Sequence, residues 1–385
     1  MNNPKNLFTF FNNLIKRELV YNSVDPTHAL LIITYRCSSR CEMCTLWKRG
    51  RKIDTKKELT LEDWKNCIDT LIFNLKNLKV IEFFGGDFLM RNDFSIPLIE
   101  HIMKRNENII VDFPTNCNML NEDTARALVK AGAGRLYISL DGPADIHDTM
   151  RGRNGTFDNV QNALRYLVKI KKDMGLNKPE IIVNCTISSS NVDNFEQIIP
   201  LVEKIGVDTI EFEYVGEFKQ ENIKNTEIGG IKPTPFYINS GNSNLLSMDQ
   251  AHLLKKKIKD IRKIAKNSKI NIFTQHIDVL TIDDLTKGTI PNKKCYLCRY
   301  TVSIDPTGNV IGCFHYNNYI YGNIKDQSFT SIWLNKKHRD FLKAQKKGEI
   351  KICQNCISGV HRNPTFFQSL YRMFFIKLLG KGFDE

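Results

Sequence analysis

Residues 34–44, with the sequence TYRCSSRCEMC, place Cys37, Cys41 and Cys44 at C-x3-C-x2-C spacing. They follow the apolar run ALLII at 29–33, which predicts a buried strand. Iron–sulfur clusters are held by cysteine thiolates, and a four-iron cluster normally uses four of them. Three close cysteines therefore leave one iron with an open coordination position, which is the mark of a catalytic site. A partial zinc knuckle and three buried thiols are the alternatives.

The spacing of this loop and its place after a strand resemble the radical S-adenosylmethionine (AdoMet) superfamily. There the loop follows the first strand of a barrel, and the methionine end of AdoMet binds the open iron of a 4Fe–4S cluster. The resemblance implies reductive cleavage of AdoMet to a 5′-deoxyadenosyl radical, which abstracts hydrogen from a substrate. The cofactor supplies this chemistry, while the protein supplies position and excludes water. Met43 is a departure, because the family often has an aromatic residue there.

The composition sets the class of protein. The chain has 385 residues, of which 42% are hydrophobic and 25% charged, as in a soluble globular protein with a barrel-sized domain and a smaller one. No apolar run approaches the ~20 residues of a membrane span, and the N-terminus has no signal-peptide pattern. Eleven cysteines favour metal or redox chemistry over disulfides, so we expect a cytoplasmic protein.

The net charge of +13 is unevenly spread, with many lysines in the segment 249–268. Apolar residues recur there at helical spacing, which predicts a helix with one basic face. This face is either a solvated surface or a binding surface for an acidic partner, such as an acidic electron donor or a phosphorylated substrate. We expect no nucleic-acid partner, because no basic motif with interleaved aromatic residues is present.

Strand-like and helix-like runs alternate from residue 29 onward. The predicted strands are 29–34, 79–84, 109–113, 135–140, 181–187 and 208–214. The predicted helices are 61–76, 95–107, 122–132, 157–173 and 193–205. Thr60 and Asp63 form a candidate capping box. Six successive βα units predict an α/β fold with a parallel sheet. The resemblance implies that this sheet is a partial (β/α)6 TIM-like barrel, with its active site at the C-terminal strand ends.

Motifs after the second and third predicted strands resemble AdoMet-binding segments of the same family. In the sequence FFGGD, the residues Gly85, Gly86 and Asp87 match a Gly-Gly-Glu segment that binds the AdoMet amino group, with aspartate in place of glutamate. Paired glycines let the backbone approach a ligand closely. In the sequence TNC, Thr115 and Asn116 match the Thr-Asn-Gly of the family, with cysteine in place of glycine.

The fourth predicted strand ends in the sequence SLDG, and a following HDTMRG completes a block that resembles the maturase-like branch. The resemblance implies that Ser139 and Asp141 line the nucleoside and active-site end. It also implies that Arg151 lies near the AdoMet carboxylate, which suits an arginine fork. His147 is either a proton acceptor or a structural residue at a helix start.

Further polar candidates lie on the fifth and sixth predicted strands. The candidates for the inner face of the barrel are Asn184, Cys185, Glu211, Glu213 and Tyr214. Alternation along a strand places Glu211 and Glu213 on one face. A carboxylate there either serves the active site or is a satisfied polar residue of the barrel interior.

A second cysteine set lies near the C-terminus. Its members are Cys295, Cys298, Cys313, Cys353 and Cys356. Two C-x2-C pairs are a strong metal signal, and four such thiolates also suit tetrahedral zinc, as in a zinc ribbon. Residues 302–313 predict a hairpin that delivers Cys313. The segment resembles the auxiliary-cluster domain of radical AdoMet enzymes, in its full (SPASM) or shortened (twitch) form.

The resemblance implies one auxiliary 4Fe–4S cluster, because no cysteine follows Cys356. Its ligands would be Cys313, Cys353, Cys356 and either Cys295 or Cys298, and its expected role is electron transfer. The expected domains are an amphipathic extension at 1–28, the barrel at 29–215, a loop and basic helix at 216–290, the auxiliary-cluster domain at 291–357 and a basic aromatic tail at 358–385. The loop at 215–250 either faces the substrate or is a plain connector.

These motifs together imply an oxygen-sensitive radical AdoMet enzyme that acts on a small-molecule or peptide substrate. A low-potential electron donor of the flavodoxin or ferredoxin type is the implied partner. The reaction is either an oxidation, in which the auxiliary cluster takes the electron of the substrate, or a radical addition or rearrangement. A metal-bearing binding module with a basic surface is the non-enzyme alternative.

Both ends of the chain are rich in phenylalanine and basic residues. They either dock on the barrel and cover its open edge or lie in a membrane interface, held by apolar burial and by attraction to anionic lipid. The second alternative implies peripheral membrane association and a lipid-linked substrate.

Overall fold

The computed structural model describes residues 26–52, 54–238, 243–289, 295 and 297–357. The predicted N-terminal extension, apart from its last residues, and the predicted C-terminal tail lie outside the described residues, and so does the choice between docking and membrane contact. None of the helices in the described ranges is long and apolar enough to cross a membrane.

One ten-stranded sheet forms the frame of the described chain. Its strands are β1 His28–Thr34, β2 Val80–Gly85, β3 Ile110–Thr115, β4 Arg135–Ser139, β5 Glu180–Ile187, β6 Thr209–Tyr214, β7 Asn271–Phe273, β8 Thr301–Ile304, β9 Asn309–Ile311 and β10 Ile320–Asn323. The first seven lie side by side in chain order and pair in parallel. This confirms the predicted partial TIM-like α/β fold, because all six predicted barrel strands are in place.

Helices connect the strands as the periodicity predicts. They are α1 Leu46–Gly50, α2 Leu61–Asn74, α3 Asn92–Arg105, α4 Glu122–Ala131, α5 Ala144–Arg151, α6 Thr156–Asp173, α7 Ile198–Ile205, α8 Gln220–Lys224, α9 Met248–Ala265, α10 Gln275–Asp278, α11 Ile282–Lys287, α12 Leu297–Tyr300, α13 Phe329–Ile332 and α14 Lys336–Lys347. The predicted capping box opens α2, where the hydroxyl of Thr60 accepts the Asp63 N–H at 3.1 Å and the Asp63 carboxylate accepts the Thr60 N–H at 3.0 Å. The sequence did not predict the short helices α1, α5, α8, α10, α11, α12 and α13.

On β6, alternation separates an apolar outer layer from a polar inner face. On β6, Ile210 and Phe212 are buried under the helices, whereas Glu211 and Glu213 are half-buried on the other face. Burying a large apolar side chain contributes about 1.5–3 kcal/mol, so the outer layer stabilises the sheet. The inner face is left free to carry polar groups.

Two of the inner-face candidates are wrong. Tyr214 lies in the outer layer, where its hydroxyl donates to the Leu285 carbonyl in α11 and accepts the Leu246 N–H. Cys185 is also buried in that layer. Cys185 follows Asn184 and Tyr214 follows Glu213 in the sequence. Successive side chains of a strand point to opposite faces, so Cys185 and Tyr214 point away from the inner face.

The distal hairpin belongs to the same sheet. β8 pairs in parallel with β1, from His28 opposite Thr301 to Leu31 opposite Ile304. β9 and β10 continue the sheet as antiparallel strands. Because β1 leads into the Cys37 loop and β9 leads to Cys313, this pairing fixes the two cysteine sets relative to each other.

Candidate functional site

The loop that carries the proximal cysteines is held by three neighbouring segments. The N–H of Asp87 after β2 donates to the Arg36 carbonyl at 2.9 Å, and the Arg40 N–H donates to the carbonyl of Arg151 in α5 at 2.8 Å. After β3, the side-chain amide of Asn118 donates to two serine hydroxyls of the loop at 3.1 and 3.2 Å. These hydrogen bonds fix the shape of the cysteine loop.

The proximal cysteines are free, partly buried thiols. Burial raises the pKa of the Cys37 and Cys44 thiols to about 12. Metal binding must therefore displace their protons. The Asn116 side chain donates to Cys37 Sγ at 3.5 Å, and Arg151 Nη1 donates to Cys41 Sγ at 3.8 Å. Such donors fit a negatively charged group of cluster and thiolates, whose potential depends on hydrogen bonds to sulfur.

The paired glycines at the end of β2 lie against the cysteine loop. A Cβ on Gly86 would lie 1.9 Å from the Arg36 carbonyl oxygen, and a Cβ on Gly85, whose φ is 127°, would lie 2.2 Å from the Thr34 carbonyl oxygen. The backbone of this segment thus touches the residues that precede Cys37. A side chain at either position would displace the cysteine loop, which is why glycine is required here.

Asp87 and Thr115 join the ends of β2 and β3. The buried Asp87 carboxylate accepts N–H groups of Leu89 and Asn116 at 2.9 Å each and the Thr115 hydroxyl at 3.1 Å. Burial raises the pKa of Asp87, and these bonds to the ionised form oppose that shift. The side chains of Asp87 and Thr115 are engaged with each other, so their predicted role at AdoMet stays a prediction, while Asn116 faces Cys37 directly.

A buried ion pair lies beneath the same loop. Arg151 donates to both oxygens of Asp141, from Nε at 2.6 Å and Nη2 at 2.9 Å. Burial alone raises the pKa of Asp141, but Arg151 and then His147 lower it to about 2. Because two nitrogens of Arg151 bind Asp141 and the third faces Cys41, the guanidinium positions the cysteine loop. Its predicted contact with the AdoMet carboxylate stays a prediction.

His147 acts as a structural residue at this point. Its Nδ1 accepts the Asp141 N–H at 3.1 Å, and its ring is fully buried in α5. The structural alternative of the sequence analysis therefore describes it. Ser139, at the end of β4, lies opposite Asn184 of β5 on the inner face.

The distal cysteines come together as predicted. Burial raises the pKa of the Cys295 thiol well above its usual range, and negative charge on the other four distal cysteines raises it further. Cys313 Sγ accepts the His315 N–H at 3.4 Å. Cys298 is buried, and its thiol lies 4.0 Å from the Cys295 carbonyl oxygen. All five thiols therefore share one neighbourhood, and the choice between Cys295 and Cys298 stays open.

The sequence analysis missed two aromatic residues that lie between the cysteine sets. The carbonyl of Phe236 accepts the N–H of Thr45, next to Cys44, at 2.9 Å. The Phe236 and Tyr237 rings lie 5.8 and 5.5 Å from the ring of His315, beside Cys313. An aromatic pair in a proline-containing loop was the available signal.

Tyr237 lies close to the proximal cysteines, to the distal cysteines and to the inner face of the barrel. Burial raises the pKa of its hydroxyl, and negative charge on four neighbours raises it further. These neighbours are Cys44, Glu213, Cys356 and Cys41. One protonated phenol therefore lies close to a proximal cysteine pair, a distal cysteine and a carboxylate of β6.

Comparisons with known proteins agree with this geometry. The radical SAM superfamily matches residues 31–199, and an iron–sulfur cluster-binding domain, SPASM, matches residues 295–357. An AdoMet-dependent heme synthase of Nitratidesulfovibrio vulgaris is 23% identical over 339 residues, which cover 84% of this chain and 83% of that protein.

Solved structures share the fold. The structure of anSMEcpe with bound AdoMet aligns with a TM-score of 0.62 at 17% identity and covers 92% of this chain and 98% of that chain. Streptococcus suis SuiB bound to precursor peptide SuiA aligns with a TM-score of 0.61 at 14% identity and covers 94% of this chain and 79% of that chain.

Residues 31–199 therefore carry a radical SAM domain and residues 295–357 a SPASM domain, as the cysteine motifs predicted. The cofactors of the protein are accordingly AdoMet, a 4Fe–4S cluster at the radical SAM domain and an auxiliary iron–sulfur cluster at the SPASM domain.

The glycine contact with the cysteine loop is testable by Gly86→Ala. The added methyl group would collide with the Arg36 carbonyl and shift the loop, so we expect AdoMet to bind at least about tenfold more weakly. Equilibrium binding of AdoMet to the anaerobically reconstituted protein measures this. Gly229→Ala is the control, because Gly229 also has a positive φ but no heavy atom lies within 4 Å of its added Cβ. Equal affinities in the Gly86 variant and the native protein would contradict the assignment.

Proposed function

We propose that this protein is an oxidoreductase-type radical AdoMet enzyme whose auxiliary cluster receives the electron that the substrate loses. One observation carries the proposal. Cys44 of the proximal set and Cys295 and Cys313 of the distal set pack against the same buried apolar cluster. The members of this cluster are Leu30, Ile32, Tyr35, Leu46, Phe236, Leu297, Ile311 and Phe314. A substrate beside this wall lies within reach of both sites.

The cofactors supply the reductive cleavage of AdoMet and the acceptor for one electron. The protein supplies position. Asn116 and Arg151 hold Cys37 and Cys41 in place, and the buried apolar cluster that includes Phe236 packs against Cys44, Cys295 and Cys313. A desolvated site of this kind protects a radical from side reactions.

Oxidation of the substrate also requires a proton acceptor. The substrate loses a hydrogen atom first, and the resulting radical then loses one electron and one proton to become the product. Glu213 is our candidate for the proton acceptor, since it lies on the inner face near Tyr237 and the cysteines. A carboxylate in such a position can serve as a general base.

The inner face also bears on the substrate class. The related heme synthase and the peptide-bound SuiB point to tetrapyrrole and peptide substrates, respectively. Glu211 and Glu213 place carboxylate oxygens on the inner face, and these are hydrogen-bond acceptors that suit a substrate with N–H donors. We therefore favour a peptide or an amine-bearing small molecule.

The electron-accepting role predicts the behaviour of Cys313→Ala. This variant loses a ligand of the auxiliary cluster but leaves the proximal site intact, so it should still form 5′-deoxyadenosine under dithionite and form no product. Untargeted mass spectrometry of treated extract detects the product. Cys67→Ala, which removes a buried thiol from α2, is the control. Product formation by a Cys313 variant that lacks the auxiliary cluster would exclude an obligatory role.

The proton-accepting role predicts a difference between two glutamates of β6. Glu213→Gln should cleave AdoMet within about twofold of the native rate but form product at least about 100-fold more slowly, because a general base typically contributes a factor of that size. Glu211→Gln, two residues deeper on the same face, should form product at close to the native rate. If both variants were equally impaired, Glu213 would have no special role.

A further inference from the structure

Three basic side chains surround Trp47 on α1, the helix that follows the proximal cysteine loop. The guanidinium carbons of Arg40 and Arg51 lie 5.3 and 5.0 Å from the centre of the Trp47 ring, and the Lys48 ammonium nitrogen lies 5.4 Å from it. A ring has only two faces, so at least two of these cations share one face and repel each other. We call Arg40, Trp47, Lys48 and Arg51 the Trp47 patch.

Carboxylates do not offset the charge of the Trp47 patch. The segment 40–52 contains five cations and one carboxylate, that of Glu42. Within the described residues, no cation of the patch forms an ion pair. The next two acidic residues along the chain are Asp54, which caps a short 3-10 helix, and Glu58, whose buried carboxylate binds two arginines. An anion bound at the patch would therefore relieve the repulsion between its cations.

The patch combines one fixed cation with two that can reach a ligand. Arg40 Nη1 donates to the carbonyls of Cys37 and Ser39 at 2.9 and 2.7 Å, which holds the guanidinium against the cysteine loop. The side chains of Lys48 and Arg51 are exposed, and neither donates a hydrogen bond to another described residue. Their N–H donors are thus open to a bound anion.

The Trp47 patch lies at the active-site end of the barrel. Trp47 Nε1 donates to the Cys41 carbonyl at 3.4 Å. On the same helix, the Arg49 guanidinium lies 5.1 Å from the centre of the Phe236 ring. Phe236 belongs to the buried apolar cluster that packs against Cys44, Cys295 and Cys313. A ligand held by the patch therefore lies beside the residues that join the two cysteine sites.

We propose that the Trp47 patch binds the phosphate group of a phosphate ester at the mouth of the barrel. A guanidinium offers parallel N–H donors that suit phosphate oxygens, and a lysine adds a compact positive charge. All three cations lie within 5.4 Å of one ring centre, so they converge on a small volume that suits one phosphate or diphosphate group.

The phosphate site narrows the substrate class. The carboxylates of Glu211 and Glu213 accept N–H donors on the inner face, while the patch holds an anion at the mouth. The two together select a substrate with an amine or amide at one end and a phosphate at the other. This assignment of the phosphate to the substrate rests on the proposed function, whereas phosphate binding at the patch does not.

Calorimetric titration of the anaerobic holoenzyme with inorganic pyrophosphate tests the site. AdoMet is present throughout, so that pyrophosphate cannot bind the open iron. The variant Lys48→Ala/Arg51→Ala removes two cations of the patch, and we expect the Kd for pyrophosphate to rise at least about tenfold. The control Lys56→Ala/Lys57→Ala removes the same charge from the exposed 3-10 helix nearby and should change the Kd by less than about twofold.

Iron content and circular dichroism verify that both variants are folded and loaded. The proposal is overturned if pyrophosphate does not bind the native protein, if the patch variant binds it normally, or if both variants are weakened equally. Cys313→Ala should bind pyrophosphate with native affinity, so a failure of the electron-accepting role leaves this result unchanged.

Flotation with vesicles that contain phosphatidic acid identifies the source of the phosphate. If Lys48→Ala/Arg51→Ala weakens both pyrophosphate and vesicle binding, the phosphate belongs to a lipid-linked ligand. If it weakens pyrophosphate binding alone, the phosphate belongs to a soluble ester. If the variant loses binding to an acidic flavodoxin but binds pyrophosphate normally, the patch is a protein contact and the proposal fails.

Discussion

The parallel pairing of β8 with β1 holds the two cysteine sites in one frame. β1 carries the proximal loop at its end, and β8 opens the hairpin that leads to Cys313. The strands form one continuous sheet, so the sites cannot move apart as separately tethered domains would. Under the proposed function an electron passes between the two clusters, and the shared sheet would fix their separation.

The rest of the site depends on how the strand alternation divides polar from apolar side chains. The outer layer buries residues such as Phe212 under the helices, so the inner face can carry Glu211 and Glu213 without loss of a core. At the strand ends, the ion pair of Asp141 and Arg151 holds the cysteine loop from below. A buried pair of this kind specifies position more than it adds stability, because desolvation offsets much of its attraction.

Local patterns explain what the sequence could predict. The cysteine spacings, the paired glycines and the strand periodicity each lie within a short segment, and the structure and the family matches agree with them. The pairing of β8 with β1 joins residues far apart in the chain and has no local signal. The sequence also could not predict to which face of the sheet Cys185 and Tyr214 point, because a shift of one residue exchanges the two faces of a strand. Phe236 and Tyr237 lie in a loop without periodicity, so only the folded chain reveals their position between the sites.

The central claim is that one cysteine site leaves an iron open to AdoMet and the other does not. Mössbauer spectroscopy of protein loaded with isotopically enriched iron, recorded with and without AdoMet, tests this directly. The account predicts that AdoMet changes the signal of one among about eight iron sites, since a cluster with three thiolates has one open position and a cluster with four has none. A spectrum that AdoMet leaves unchanged, or one in which iron sites of both clusters respond, would contradict the account.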